Sequence, residues 1–268
     1  MTRVVVVGVL GRMGQAIVQR ISKETGLQLA GGVVERGALG PGKPLSAFMP
    51  PPPGGEGLCL LDDLGKCLTD TPTDVVIDFT APTCTAVHAA LCAQAGVGLV
   101  VGTTGLGEAE REALKAAAAR IPVLWAPNMS IGIQVLGLAV QEMARRLGEG
   151  WDIEVLEIHH KRKKDAPSGT ALKLAEDAAK ALGLGAQHFC TQRSGMIGER
   201  PAKEIGLQSL RGGEVIGEHT VYFLGEGERL ELRHCAQSRE QFAQGALRAA
   251  RWLHAKPAGF YGMGDVLS

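Results

Sequence analysis

An unbroken valine run, Val4 to Val7, ends directly in Gly8-Val9-Leu10-Gly11-Arg12-Met13-Gly14, and this junction constrains the fold more than any other part of the chain. A β-branched run without polar alternation predicts a strand buried on both faces, as in a parallel sheet covered by helices. Helical periodicity continues over Gln15 to Ile21, and a second apolar run, Leu27 to Val34, predicts the next strand. The alternation continues with strands at Asp74–Phe79, Val97–Val101 and Pro122–Trp125 and helices at Pro82–Ala95 and Glu108–Ala119. Strand and helix in turn at this spacing predict an α/β domain built on a doubly wound parallel sheet. Pro50 to Pro53, followed by Gly54 and Gly55, must be a surface loop, because proline donates no ladder hydrogen bond and breaks helices.

The texture changes after Asn128. Ile133, Leu136, Val140, Met143 and Leu147 step by threes and fours, which predicts an amphipathic helix. A strand at Trp151–His159 and a helix at Ala171–Leu182 come next, and three strand-like runs fill Ile205 to His234. Strands in succession without intervening helices predict an antiparallel or mixed sheet, so this half reads as a second, α+β domain. A last helix spans Gln241 to His254.

Lysine plus arginine number 28 and aspartate plus glutamate 28, so no global field draws the chain to nucleic acid or an anionic membrane. No apolar run approaches the roughly 18 residues that span a bilayer. Met1-Thr2-Arg3 followed by valines begins as a signal peptide does, yet it runs straight into glycines and reads instead as a first strand. The six cysteines form no C-x-x-C pair and no zinc spacing, so buried reduced thiols and a cytoplasmic location are expected, with no metal site.

A glycine turn between strand and helix lets the backbone approach a pyrophosphate, and the helix start offers free N–H groups. Here the spacing is G-x-x-G-x-x-G, with Leu10 in the middle glycine's usual place; alone, a bare structural turn explains it as well. Glu35 adds weight, since it ends the second strand 21 residues after Gly14, where an acid accepts from the adenosine ribose. Arg36 is suited to a 2′-phosphate. By themselves Glu35 and Arg36 are better explained as a solvated charge pair at a strand end, but in order with strand, glycines and helix they favour a nicotinamide dinucleotide, NADH or NADPH. Gly102-Thr103-Thr104-Gly105 and Ala126-Pro127-Asn128-Met129 come after strands at the same carboxyl edge and suit the nicotinamide half, although ordinary turns fit them too.

The densest chemistry is Glu157-Ile158-His159-His160-Lys161-Arg162-Lys163-Lys164-Asp165-Ala166-Pro167-Ser168-Gly169-Thr170. Most basic runs are solvated faces. A nucleic-acid patch lacks its basic stripe and interleaved aromatics here. The residues after the cations favour a small anion: Ser168-Gly169-Thr170 leads into a helix, giving hydroxyls and N–H groups at a positive helix end with lysines nearby. His159 is a residue type that carries protons near neutral pH. One anion site on each half, for a pyrophosphate on the first and a carboxylate on the second, is the layout of a two-domain dehydrogenase or reductase, and a reductase of a small dianionic substrate is the expectation.

Taken together, these stretches closely resemble the dihydrodipicolinate reductase family, also called 4-hydroxy-tetrahydrodipicolinate reductase, of lysine and diaminopimelate biosynthesis. The resemblance runs nearly end to end and rests on Gly8 to Gly14, Asp78-Phe79-Thr80, Gly102 to Gly105, Glu157 to Thr170, Arg211-Gly212-Gly213-Glu214, Gly217-Glu218-His219, and Glu228-Arg229-Leu230-Glu231 before His234. It implies a Rossmann-type dinucleotide-binding domain (residues 1–127) that the C-terminal helix (239–268) rejoins, and a mixed-sheet domain (128–238) for substrate binding and homotetramer assembly. It also implies that a cyclic imine dicarboxylate loses water and accepts hydride. His159 would then move a proton, Lys163 would donate one, and His160, Lys163, Ser168, Gly169 and Thr170 would hold the carboxylates. The cofactor would lie on Gly8, Val9, Leu10, Gly11, Arg12, Met13, Glu35, Arg36, Gly102, Thr103, Thr104, Ala126, Pro127, Asn128 and Met129. Leu10, Pro127 and the proline loop depart from the family pattern without removing a catalytic position. The competing reading is a relative that binds the dinucleotide but has changed its substrate or become a sensor.

Arg36→Ala is expected to weaken NADPH more than NADH in calorimetric titrations, because only NADPH carries the 2′-phosphate. Equal losses would remove Arg36 from that role.

Overall fold

The computed structural model describes residues 1–268. The chain forms two compact units, Met1–Ser130 with Arg239–Ser268, and Ile131–Ser238. The first comprises β1 (Thr2–Val7), α1 (Arg12–Ile21), β2 (Leu27–Val33), α2 (Leu64–Asp70), β3 (Val75–Asp78), α3 (Pro82–Ala95), β4 (Gly98–Val101), α4 (Glu108–Ala118) and β5 (Pro122–Trp125). The second holds α5 (Ile131–Leu147), β6 (Asp152–His159), α6 (Gly169–Ala181), β7 (Phe189–Cys190), β8 (Ile205–Arg211), β9 (Glu218–Leu224) and β10 (Arg229–Cys235). The chain then returns to the first unit as α7 (Glu240–Leu253) and β11 (Gly259–Tyr261).

The first unit is a Rossmann-type sheet of six parallel strands in the order β11-β5-β4-β3-β1-β2. The valine run is fully buried because successive side chains feed opposite faces. Val5 and Val7 join Val76, Leu99, Val101 and Val123 in a core closed by Leu64, Ala89, Cys92 and Leu114. Val4, Val6, Ile77 and Val100 fill the other face, where α1 and α7 pack together. Arg3 ties β1 to the entry of β3, its guanidinium Nη2 lying 2.7 Å from Asp74 Oδ1. Hydrogen bonds from Arg3 draw the Asp74 carboxyl down to about 2.

The glycine turn depends on two contacts. Gly8 has φ +68°, a left-handed conformation that costs glycine little. A Cβ at Gly14 would lie 2.3 Å from the Gly8 carbonyl oxygen and 2.6 Å from Val9 Cα, so α1 can start this close beneath the turn only with glycine there. Accordingly α1 begins at Arg12, three residues before the start read from periodicity at Gln15.

The second unit carries a mixed sheet, β10-β9-β6-β8-β7, with β6 parallel to β8 and antiparallel to β9. Helices α5 and α6 pack together and bury Val140, Ala144, Leu174 and Ala178 with Ile153, Val155, Val221 and Phe223. β6 alternates strictly: Ile153, Val155, Glu157 and His159 are buried, while Glu154, Leu156 and Ile158 are half-buried. The buried face of one strand therefore changes from apolar to ionisable along its length.

Three elements escape the sequence reading. α2 is seven residues long, too short for a periodic signal, and is started by Asp63, whose side chain accepts from Lys66 N at 3.0 Å. β7 and β11 are edge strands of two and three residues. The thiols also differ from expectation: all six are free, but only Cys67 and Cys92 are buried, and Cys59 and Cys235 are exposed.

Gly245 decides how closely α7 packs, since a Cβ there would sit 1.8 Å from the Met129 carbonyl oxygen. Gly245→Ala gains about 1 kcal/mol of helix propensity but overpacks a backbone contact at about 1–3 kcal/mol or more. Urea unfolding is therefore expected to show net destabilisation, and a more stable variant would refute the tight packing.

Candidate functional site

In the first unit β1 sits between β2 and β3, so the chain leaves β1 toward one side of the sheet and later resumes on the other. Such a switch point opens a crevice beyond the strand ends, the usual ligand position in open α/β sheets. A cavity of about 710 Å³ lies there, lined among others by Gly8, Leu10, Gly11, Glu35, Arg36 and Thr80. α1 has no side-chain cap at Gly11 and no acid in its first turn, so its N-terminal N–H groups face no competing carboxylate. A pyrophosphate-bearing dinucleotide fits this setting. Arg36 Nη2 lies 3.1 Å from Asp63 Oδ2, an exposed pair that leaves the guanidinium accessible.

Asp78 organises the floor of this crevice. It is wholly buried, and its Oδ1 accepts from Thr80 N (2.9 Å), Thr80 Oγ1 (2.6 Å) and Thr103 Oγ1 (3.3 Å). Its Oδ2 lies 3.0 Å from Nδ1 of His88, a residue of the cavity wall that sequence reasoning does not single out. The Phe79 ring covers Gly102, where a Cβ would come within 2.1 Å of it. Thr103, Ala126 and Met129 are buried, Thr104 and Pro127 are exposed, and Asn128 Oδ1 accepts from Ser130 N at 2.8 Å. The Gly102–Thr104 and Ala126–Met129 segments lie outside the cavity lining, as do Val9, Arg12 and Met13.

In the second unit the ionisable end of β6 meets the start of α6. Glu157 has no solvent exposure and receives a bidentate pair from Arg211, with Nη1 and Nη2 each 2.7 Å from a carboxylate oxygen. The same carboxylate accepts from Ser168 N at 3.1 Å and lies 2.5 Å from His159 Nδ1. Burial alone would raise the Glu157 pKa, but hydrogen bonds from His159, Arg211 and Ser209 outweigh it and hold the group far below the usual carboxylate range. Ser168 Oγ caps α6 through Ala171 N (3.2 Å) and lies 3.1 Å from His219 Nε2. The His159 and His219 rings meet edge to face at 5.2 Å. Gly169 and Thr170 open α6, and Lys163 Nζ lies 2.9 Å from Asp165.

His160 Nδ1, His219 Nδ1 and Arg211 Nε are buried here without a hydrogen-bond partner. Buried polar atoms are rarely left so, and three around one strand end mark a place that a polar ligand would complete. Sequence reasoning brings His159, His160, Lys163, Ser168, Gly169 and Thr170 to this place but gives no role to Glu157, Arg211 or His219. Glu157 was findable, since a residue two before His159 in a strand shares its face. Arg211 and His219 come from other strands, and only pairing registers such as His159 with Arg211 and Glu157 with His219 bring them in.

Two family models match the chain: "Dihydrodipicolinate reductase, N-terminus" over residues 2–129 and "Dihydrodipicolinate reductase, C-terminus" over residues 132–267. The 4-hydroxy-tetrahydrodipicolinate reductase of Anaeromyxobacter sp. (strain Fw109-5) is 52% identical over 268 residues, covering 100% of this chain and 98% of the relative. That of Myxococcus xanthus (strain DK1622) is 47% identical, covering 100% and 98%. Among solved structures, the dipicolinate-bound dihydrodipicolinate reductase of Paenisporosarcina sp. TG-14 superposes with a TM-score of 0.76 at 26% identity, covering 99% of each chain.

Burial pushes His219 down to about 3 from 6.5, and the nearby His159 charge acts in the same direction. Because the folded unit disfavours the charged ring, this contribution is whole above about pH 6.5 and is lost as pH falls toward 3. Glu157 adds slope only below its unfolded value of 4.5. Unfolding free energy is thus expected to fall between pH 6.5 and 4.5, and to fall less in His219→Asn; equal slopes would show that His219 is not held neutral.

Proposed function

The chain belongs to the dihydrodipicolinate reductase family, and from that membership we propose that it reduces 4-hydroxy-tetrahydrodipicolinate to tetrahydrodipicolinate in lysine and diaminopimelate biosynthesis. It is an NAD(P)H-dependent oxidoreductase. The observation that carries this reading is the end-to-end match of both family models, together with close relatives aligned over the whole chain.

When bound, the dihydronicotinamide supplies the hydride. Gly8 to Met13 at the start of α1 would hold the pyrophosphate, Glu35 would accept from the adenosine ribose, and Arg36 would meet a 2′-phosphate where one is present. Gly102 to Thr104 and Ala126 to Met129, which lie outside the lining of that cavity, would hold the nicotinamide half. With both Glu35 and Arg36 at the crevice, the site takes either NADH or NADPH.

The substrate carries two carboxylates. Gly169 and Thr170, at the positive end of α6, receive one of them, with His160, Lys163 and Ser168 alongside. The dipicolinate in the relative's structure is a small dianion of the same class. His159 moves a proton at the ring, and Lys163 Nζ donates the proton that completes reduction of the intermediate. Each group is already held, His159 by Glu157 and Lys163 by Asp165.

The first unit serves the cofactor, and the second serves substrate and assembly. A homotetramer is supported by the sheet face of the second unit, where Leu156, Ile158 and Tyr222 are only half-buried and Leu210 is 51% exposed. Free thiols throughout suit a cytoplasmic enzyme.

The test is loss of reduced-nicotinamide absorbance with substrate generated in place from pyruvate and aspartate semialdehyde by the preceding synthase. Oxidation that requires the synthase product is expected, and its absence with both cofactors, binding being confirmed, would point to the altered relative or sensor. His159→Gln is expected to lower turnover on the order of 100-fold or more with cofactor affinity nearly intact. Unchanged turnover would remove His159 from the chemistry.

A further inference from the structure

We propose that Glu157 and Arg211 act as positioning residues that fix the tautomer and aim of His159, committing Nδ1–H to Glu157 and leaving Nε2 as the nitrogen that handles the proton. The proposal deepens the reductase reading and rests on it for the meaning of turnover.

Hydrogen-bond valence decides the tautomer. An ionised carboxylate only accepts, so any ring nitrogen in contact with it must carry hydrogen. Glu157 is ionised here because Arg211 supplies a charge and two donors, and Ser168 N a third. His159 Nδ1, 2.5 Å from Oε2, is therefore the protonated nitrogen. A neutral imidazole has only one N–H, so Nε2 keeps its lone pair.

The surroundings of Nε2 agree. A Cβ added at Gly217 would lie 3.0 Å from His159 Nε2, so glycine there keeps the nitrogen uncovered. The edge-to-face contact with His219 limits rotation of the ring, and as a neutral group His219 places no second charge beside it. Glu157 in turn cannot swing, since donors from β8 and from the start of α6 occupy both its oxygens. Arg211 also donates to the Asp165 carbonyl at 2.7 Å, in the segment that carries Lys163. One guanidinium thus holds both proton-handling side chains to the same frame.

An ordinary structural ion pair would stabilise this corner without setting the tautomer, and nitrogen NMR separates the two. The full-length protein, labelled with ¹⁵N-histidine, is observed at about pH 9, where histidine is neutral, with the His159 signals identified by their loss in His159→Gln. The expected spectrum shows protonated Nδ1 and unprotonated Nε2 for His159; the opposite tautomer or an even mixture overturns the proposal. In Glu157→Gln the tautomers are expected to mix and kcat to fall at least about 10-fold, with the KM for the nicotinamide cofactor unchanged. Glu157→Asp, which keeps the charge, should recover part of the loss. A folded Glu157→Gln protein with wild-type kcat and spectrum would also overturn the proposal. If that variant does not fold, the wild-type spectrum decides alone. The spectrum needs no substrate, so a protein inactive on the synthase product would sink the reductase reading while leaving the tautomer result to stand or fall by itself.

Discussion

Glu157 has no access to water, and a charge in that position is tolerable only where its partners are complete. Arg211 makes them so with two parallel N–H bonds, joined by the Ser168 amide and the His159 ring. Losing one partner of such a buried pair costs about 3–5 kcal/mol, because the other is left charged and unsolvated. The pair therefore does more than join two strands. It fixes where β6 ends relative to β8, where α6 begins, and how the basic segment between β6 and α6 is held. An apolar pair of equal volume would suit the core as well and position nothing.

A similar arrangement recurs in the first unit with different chemistry. Asp78 is as deeply buried as Glu157, but it is surrounded by hydroxyls, one amide and a histidine in place of a guanidinium. It joins the ends of β3 and β4 to α3 around the crevice at the switch point. In both units one buried acid at the carboxyl end of a central strand sets the geometry of the turns around it. In both, apolar residues earlier on the same strand, Ile153 and Val155 in β6 and Val75 to Ile77 in β3, supply the stability that permits it.

Much of this was legible in the sequence, and the reasons differ by element. The valine run could only be a doubly buried strand, and the pattern from Pro82 to Ala95 predicted a helix with those same bounds. Within the site, Glu157 to Thr170 was readable because one continuous segment carries its chemistry. The features that stayed hidden are non-local or short. Arg211 lies 54 residues from Glu157, and only a parallel pairing register brings them together. α2, β7 and β11 are too short to carry a period, and their shape is imposed by the sheet edges and caps around them. Gly14 reads as the last glycine of the cofactor turn and Gly245 as an ordinary helix residue, and neither reading gives the packing that requires it. Their meaning appears only once a carbonyl oxygen is seen where a side chain would go.

The return of α7 and β11 to the first unit has a consequence for how the polypeptide matures. That unit draws on both ends of the chain, whereas Ile131–Ser238 is continuous. During vectorial synthesis the parallel sheet must wait, its face toward α7 uncovered, until residues 239–268 emerge, while the intervening unit already has every strand it needs. The usual order, with the amino-terminal domain finishing first, is reversed by topology alone. Of the two units, the one begun first is completed last, and the Val4 and Val6 side of its sheet is the surface a nascent chain would most need to shield.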